Sequence, residues 1–89
     1  MYVETTTPEK TKFETLAQVR DELKLQIHLA KADLRDEWNE KLEPKFWELK
    51  SKLDRFEEAS VETAVELQSA MKSLMVELRD GYERLRKSL

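Results

Sequence analysis

Apolar residues recur at positions 13, 16, 19, 23, 27, 30, 34, 38, 42, 46, 49, 53 and 56, always three or four apart. That spacing keeps them on one side of an α-helix of 3.6 residues per turn, so the pattern predicts helix sustained over more than forty residues. Leu16, Ile27, Trp38 and Leu49 step by eleven, as do Leu23, Leu34 and, after the polar Lys45, Phe56. An eleven-residue period is about 3.67 residues per turn, which favours nearly straight packing or slight right-handed coiling over a heptad zipper. A second seam follows at Ala64, Leu67, Met71, Leu74, Leu78, Tyr82, Leu85 and Leu89, in which Leu67, Leu78 and Leu89 keep the same step.

Local signals divide this pattern. Residues 1–7 carry three consecutive threonines and no apolar period, and read as a flexible tail. Thr7 before Pro8 is a helix start, because its hydroxyl can accept from orphan amides while proline suits the first helical position; Thr11 with Glu14 offers a second. Ala59, Ser60 and Val61 form the next boundary, with Ser60 as the cap of a second helix spanning about 61–88. Pro44 falls inside the first pattern, where an interior proline forfeits a hydrogen bond and costs about 3 kcal/mol. No Gly lies nearby, Glu43 rather than a capping residue precedes it, and the spoke Ile27, Trp38, Leu49 runs through it in phase. The preferred reading is one long kinked helix from about 8 to 58, within a single helical domain of residues 8–89; the alternative is a break near Asn39 to Glu43.

If 59–61 is a tight turn, the second helix returns antiparallel along the first, and residues whose numbers sum to about 119 lie opposite each other. A hairpin core then forms from Leu34, Leu42, Phe46, Leu49, Leu53 and Phe56 of the first helix against Leu67, Met71, Leu74, Leu78, Tyr82 and Leu85 of the second. Arg84, Arg86 and Lys87 arrive beside Asp33, Asp36 and Glu37. This hairpin leaves Leu16, Val19, Leu23, Ile27 and Ala30 bare, with Leu25, Leu29 and Ala32 on the opposite face. A bare apolar length of that size calls for a cover. The expected fold is therefore all-α, a helical hairpin assembling into an antiparallel homodimer with three-helix-bundle halves. Leu16, Val19, Leu23, Leu25, Ile27, Leu29, Ala30 and Trp38 form its self-association face. The alternative is a monomeric three-helix bundle broken near Pro44.

Composition narrows the function classes. The chain has 89 residues, enough for one thin-cored domain, and its 16 basic and 19 acidic residues are spread along its length. No broad single-sign field attracts nucleic acid or anionic lipid, so no nucleic-acid partner is expected. No cysteine is present, which removes disulfides, thiolate chemistry and Cys-type zinc sites. No apolar run approaches the ~20 residues needed to span a bilayer, and Met1 to Thr7 lack the features of a secretory signal, so a cytoplasmic location is expected.

Candidate chemistry is sparse. His28 is the single histidine, so no metal site of the di-iron or zinc kind assembles within one chain; it reads as a helix-flank residue. Asp33, Asp36, Glu37, Glu40 and Glu43 are acidic, but they lack a calcium-loop pattern, and Arg35, Lys41 and Lys45 among them indicate an ion-paired helix face. Gly81 alone makes no phosphate loop; inside a helix it either permits close approach beside Tyr82 or is tolerated. Trp38, Phe46, Phe56 and Tyr82 fall on the seams, whereas Trp47 points elsewhere, as a cover for a third helix or as a contact residue.

Leu29-Ala30-Lys31-Ala32-Asp33-Leu34-Arg35-Asp36-Glu37-Trp38 and Gly81-Tyr82-Glu83-Arg84-Leu85-Arg86-Lys87-Ser88-Leu89 resemble small uncharacterised helical, coiled-coil-like proteins of proteobacteria, a group that carries no assigned activity. Pro44 with Phe46-Trp47-Glu48-Leu49 and the eleven-residue period look like exchangeable apolipoproteins in composition. The expected function is that of a non-enzymatic structural or protein-interaction protein acting through helix packing and self-association, without cofactor or small-molecule substrate. Reversible lipid-surface binding through the amphipathic helices is the alternative.

Overall fold

The computed structural model describes the backbone of residues 8–89 and the side chains of residues 10–89. The expected tail 1–7, with the Thr7 cap, lies outside the described residues. The described chain is all-helical: α1 spans Pro8–Ile27, α2 Ala32–Glu37, a π-helical turn Trp38–Leu42, α3 Glu43–Glu58 and α4 Val61–Ser88. α2, the π turn and α3 follow one another without a break and form the middle limb of a three-limbed bundle. α1 runs antiparallel to α3 and parallel to α4, as ion pairs Lys10–Glu57 (3.9 Å), Arg20–Glu43 (2.6 Å) and Glu22–Arg86 (3.5 Å) require.

The expected single helix over 8–58 is corrected: it is interrupted at 28–31, and the interruption is well before Pro44. The Leu29 and Ala30 amides donate to the carbonyls of Gln26 and Ile27, both at 3.1 Å, which tightens the last turn of α1. Lys31 then adopts an extended conformation (φ −63°, ψ 155°), and α2 begins. A straight helix over 8–58 would be about 75 Å long at 1.5 Å per residue, whereas the longest extent of the molecule is 47 Å. Packing is the physical reason for the reversal. Folding α1 back buries Leu16, Leu23 and Ile27 to 8, 2 and 4% exposure. Each such burial stabilises by about 1.5–3 kcal/mol, more than the helical hydrogen bonds given up at four residues. The apolar length that a hairpin alone would leave bare is thus covered from within the chain.

At Pro44 the chain stays helical. The Glu43 N–H donates to the Trp38 carbonyl, an i to i−5 bond that admits one extra residue into the turn. Proline has no N–H to lose at the start of α3, and the wider turn relieves the clash of its ring with the preceding carbonyl. The second boundary is set by Ser60, whose hydroxyl accepts from the Thr63 N–H at 3.4 Å, while the Ala64 amide donates to the Ser60 carbonyl. Thr11 is not a helix start; it lies inside α1, its carbonyl accepting from the Thr15 hydroxyl.

The α3–α4 hairpin packs Leu42, Phe46, Leu49 and Leu53 against Met71, Leu78, Tyr82 and Leu85, all buried, with Leu34, Phe56 and Leu74 partly buried at the margins; Leu67 is also buried. Its register is marked by Trp38 against Tyr82 (ring centroids 5.7 Å apart), Lys45–Glu77 (3.0 Å) and Glu37–Arg84 (3.2 Å). Arg86, expected beside the acids of the middle limb, instead reaches Glu22 on α1. Met75 is buried although it was not on the expected seam, because α1 gives α4 a second neighbour and widens its apolar arc.

Gly81 faces Leu42, and a Cβ there would collide with the Leu42 side chain. Alanine at 81 gains about 1 kcal/mol of helix propensity but forces a buried leucine from its place at about 1–3 kcal/mol. Gly81→Ala is therefore expected to lower stability in urea unfolding, and the loss should shrink in a Leu42→Val background. An equal loss in both backgrounds would refute the steric account.

Candidate functional site

α1 is held on the bundle by five side chains, Phe13, Leu16, Arg20, Leu23 and Ile27, which alternate steps of three and four. Arg20 occupies a seam position of that pattern. Its Nε and an Nη donate to the two carboxylate oxygens of Glu43 at 2.6 and 2.7 Å, a bidentate pair bridging α1 and α3. The pair is largely enclosed, the Arg20 and Glu43 side chains being 11 and 21% exposed. The guanidinium carbon lies 4.7 Å from the Phe46 ring centroid and 5.3 Å from that of Trp47, within cation–π range of both. Phe13 stacks on Phe46 with centroids 5.1 Å apart, and the Trp47 indole N–H donates to Glu43 at 3.4 Å.

Burial pushes the Glu43 carboxyl up. The two hydrogen bonds and the charge of Arg20, with smaller help from the Trp47 N–H and Lys24, outweigh that effect and hold it below the usual carboxylate range. The Glu43 hydrogen bond raises the Arg20 pKa above its ordinary value, against desolvation. A carboxyl depressed in the folded state contributes stability that is present above its unfolded pKa of about 4.3 and is lost as pH falls through the folded value. Trp47, half exposed, thus covers the ion pair and is neither a core residue nor a bare contact surface.

Tyr82 lies beneath the pair, 2% exposed, with a hydroxyl that has no hydrogen-bond partner among the described residues. Burial raises its pKa well above the ordinary tyrosine value; the Glu43 charge adds to this and Arg20 opposes it. Because the folded pKa is raised, this stability is complete below the unfolded pKa of about 10 and is lost as pH rises beyond it. Tyr82→Phe is expected to be neutral or stabilising by about 1 kcal/mol at neutral pH, since it removes an unpaired buried donor. It should also reduce the loss of stability above about pH 10. Urea unfolding of both proteins against pH is the measurement, and a clear loss in the phenylalanine variant at neutral pH would reveal a hydrogen bond for the hydroxyl.

Between α1 and α4 runs a groove of about 490 Å³. Leu16 and Val19 of α1, with Met75, Val76 and Tyr82 of α4, form its apolar floor. Lys12, Lys72, Arg79 and Arg86 stand along its walls, with Glu83 the one carboxylate among the described lining residues. A more open concavity of about 690 Å³ lies at the reversal, with Leu29, Ala30, Leu34 and Leu89 in its lining.

The residues expected to face a second copy are placed as follows. Leu16, Leu23, Ile27 and Trp38 are buried inside the bundle, Val19 and Ala30 are partly buried, and Leu25 and Leu29 are exposed at 74 and 92%. His28 is exposed in the reversal. The acidic residues do not converge: Glu43 turns to Arg20 and Glu37 to Arg84, and no group of ligating side chains able to hold a metal occurs among the described residues. Nor is any described helix long and apolar enough to cross a membrane.

Two features escaped the sequence reading. Val19 satisfies the apolar period one residue before Arg20 and so hides it; the alternation 13, 16, 20, 23, 27 carries the signal, with a charged residue at one apolar place. The groove was hidden because it exists only once α1 has folded back. No protein-family model, curated protein or solved structure matches the chain.

Proposed function

We propose that this protein is a non-enzymatic helix-packing module that self-associates by exchanging α1 between two copies. The observation that carries this reading is the character of the reversal at 28–31. His28, Leu29, Ala30 and Lys31 include neither Gly nor Pro, and leucine, alanine and lysine are good helix formers. The spoke Leu16, Ile27, Trp38 and Leu49 runs through the reversal in phase. Straightening these four residues joins α1 to the middle limb as one helix, whose N-terminal part can take the same place on a second copy. Every docking contact of α1, from Phe13–Phe46 to Arg20–Glu43, would be remade between copies, so exchange conserves the packing energy and is a low-cost route to a dimer. Helical hydrogen bonds gained at the hinge favour it. So does the chance for Leu25 and Leu29, exposed at 74 and 92%, to be covered where the two straightened hinges run side by side.

Light scattering during size exclusion over a wide concentration range tests the proposal. The expected species is a dimer that persists on dilution and exchanges slowly, since α1 must undock first. Lys31→Pro is expected to convert it to a monomer: the ring suits the φ of −63° found in the closed form but forbids a continuous helix at a cost of about 3 kcal/mol. A wild-type chain that stays monomeric throughout, or a proline variant that dimerises equally well, would overturn it.

A further inference from the structure

We infer that the α1/α4 groove seats an acidic amphipathic helix of another protein as a fourth helix of the bundle. Charge and spacing select this occupant, and the groove is the same whether α1 comes from the same chain or from a second copy. The chain as a whole carries a formal charge of −3, yet among the described residues the groove lining holds four cations and one carboxylate. The local sign is reversed where the floor is most apolar. Lys72, Arg79 and Arg86 are seven residues apart, two helical turns, so they form a row with steps of about 10.5 Å along one wall. A row about 21 Å long is too extended for one carboxylate or phosphate. It matches the flanking positions of a second helix, where side chains also repeat every seven residues and oppositely charged partners choose one another.

These cations are available. Among the described residues Lys72 and Lys12 make no ion pair, while Arg79 reaches only its neighbour Asp80 at 3.6 Å and Arg86 reaches Glu22 at 3.5 Å. Both pairs are exposed, the class of ion pair that contributes least and yields most readily to a new carboxylate. The floor offers the apolar half of the match. Val76 is 48% exposed, more than half of its surface being already desolvated, and Val65, seven residues before Lys72, continues the apolar track at 62% exposure. An amphipathic helix with leucines towards this floor and glutamates along the row would satisfy both.

The probe is a labelled synthetic helix with a leucine stripe flanked by glutamates every seventh residue, titrated against the full chain by fluorescence anisotropy. Its counterpart carries lysines in place of the glutamates. The acidic helix is expected to bind and to weaken with salt. Lys72→Glu combined with Arg79→Glu should reduce its affinity at least about tenfold and shift preference to the lysine helix. Val76→Asp, at a half-exposed site that folding tolerates, should cost a similar factor without altering the cation row. Circular dichroism melting checks that both variants are folded. Equal binding of the two helices, or none, would overturn the inference. So would loss of a wild-type dimer in the charge-reversed variant, which would give the groove to a second copy. Binding of anionic vesicles or an oligonucleotide with the same sensitivity to these substitutions would also overturn it.

Discussion

Leu23→Ala is expected to destabilise the protein by about 3 kcal/mol, and to do so by releasing α1. Leu23 is 2% exposed at the centre of the helix that folds back, so truncation removes its transfer energy and leaves a cavity. In a domain of this size that corresponds to a fall in melting temperature of about 10–20 °C. Leu25→Ala is the matched control on the same helix: at 74% exposure it should change stability by less than about 0.5 kcal/mol. Near-equal effects would mean that α1 does not dock through the face described. Hydrogen exchange locates the effect, since in Leu23→Ala the amides of α1 should lose protection while those around Leu49 and Leu78, both fully buried in the hairpin, keep more of theirs.

The second large effect is expected from Arg20→Ala, at about 2–4 kcal/mol. The figure lies below that for a wholly buried pair because Glu43 retains 21% exposure and some access to water. Removing the guanidinium leaves the carboxylate facing Phe46 and Trp47 with one weak indole N–H. Glu43→Gln should cost less, because the amide oxygen can still accept from Arg20. A double-mutant cycle between these positions should give a coupling near 2 kcal/mol, larger than for exposed pairs such as Lys50–Asp54. Acid titration supplies the sign: the wild-type advantage over Arg20→Ala should be complete at neutral pH and fade as pH falls below the carboxylate range. Replacing both partners with apolar residues, Arg20→Met with Glu43→Leu, should recover much of the loss. Persistence of the full deficit in that double variant would mean that the pair's geometry itself holds α1 in place. A lone charged residue at a seam position has a further consequence: only one sliding register brings Arg20 to Glu43, so the pair selects the alignment of α1.

Much of the fold was legible because helix formation is a local property. Ser60 could be read as a cap because a hydroxyl acts on amides within its own turn. The seam residues Leu49, Leu53, Met71 and Leu78 could be read because a 3.6-residue period places them on one face before any partner is known. Their arrival at the hairpin interface follows from the short connection at 59–61. A π turn at Trp38–Leu42 precedes Pro44, where Trp38 and Leu42 sit against Tyr82 and Gly81, contacts that no local signal displays.

The reversal at 28–31 was not legible, and the reason is physical. Helix ends signalled by Gly, Pro or a capping hydroxyl are written locally, whereas Leu29, Ala30 and Lys31 favour helix in isolation and His28 does not terminate one. What breaks the helix there is distant: apolar surface on Leu16, Leu23 and Ile27 that can be buried only against α3 and α4, and a carboxylate on Glu43 that Arg20 reaches only after folding back. The sequence by itself determined that this protein is a set of helices with an antiparallel hairpin between residues 32 and 88. Tertiary structure decided that α1 completes the bundle, that Arg20 and Glu43 set its register, and that a basic-walled groove opens beside α4. Periodicity is fixed by neighbours a few residues away, whereas within a single chain the turn at 28–31 is favoured by the burial of α1 against residues far along the sequence.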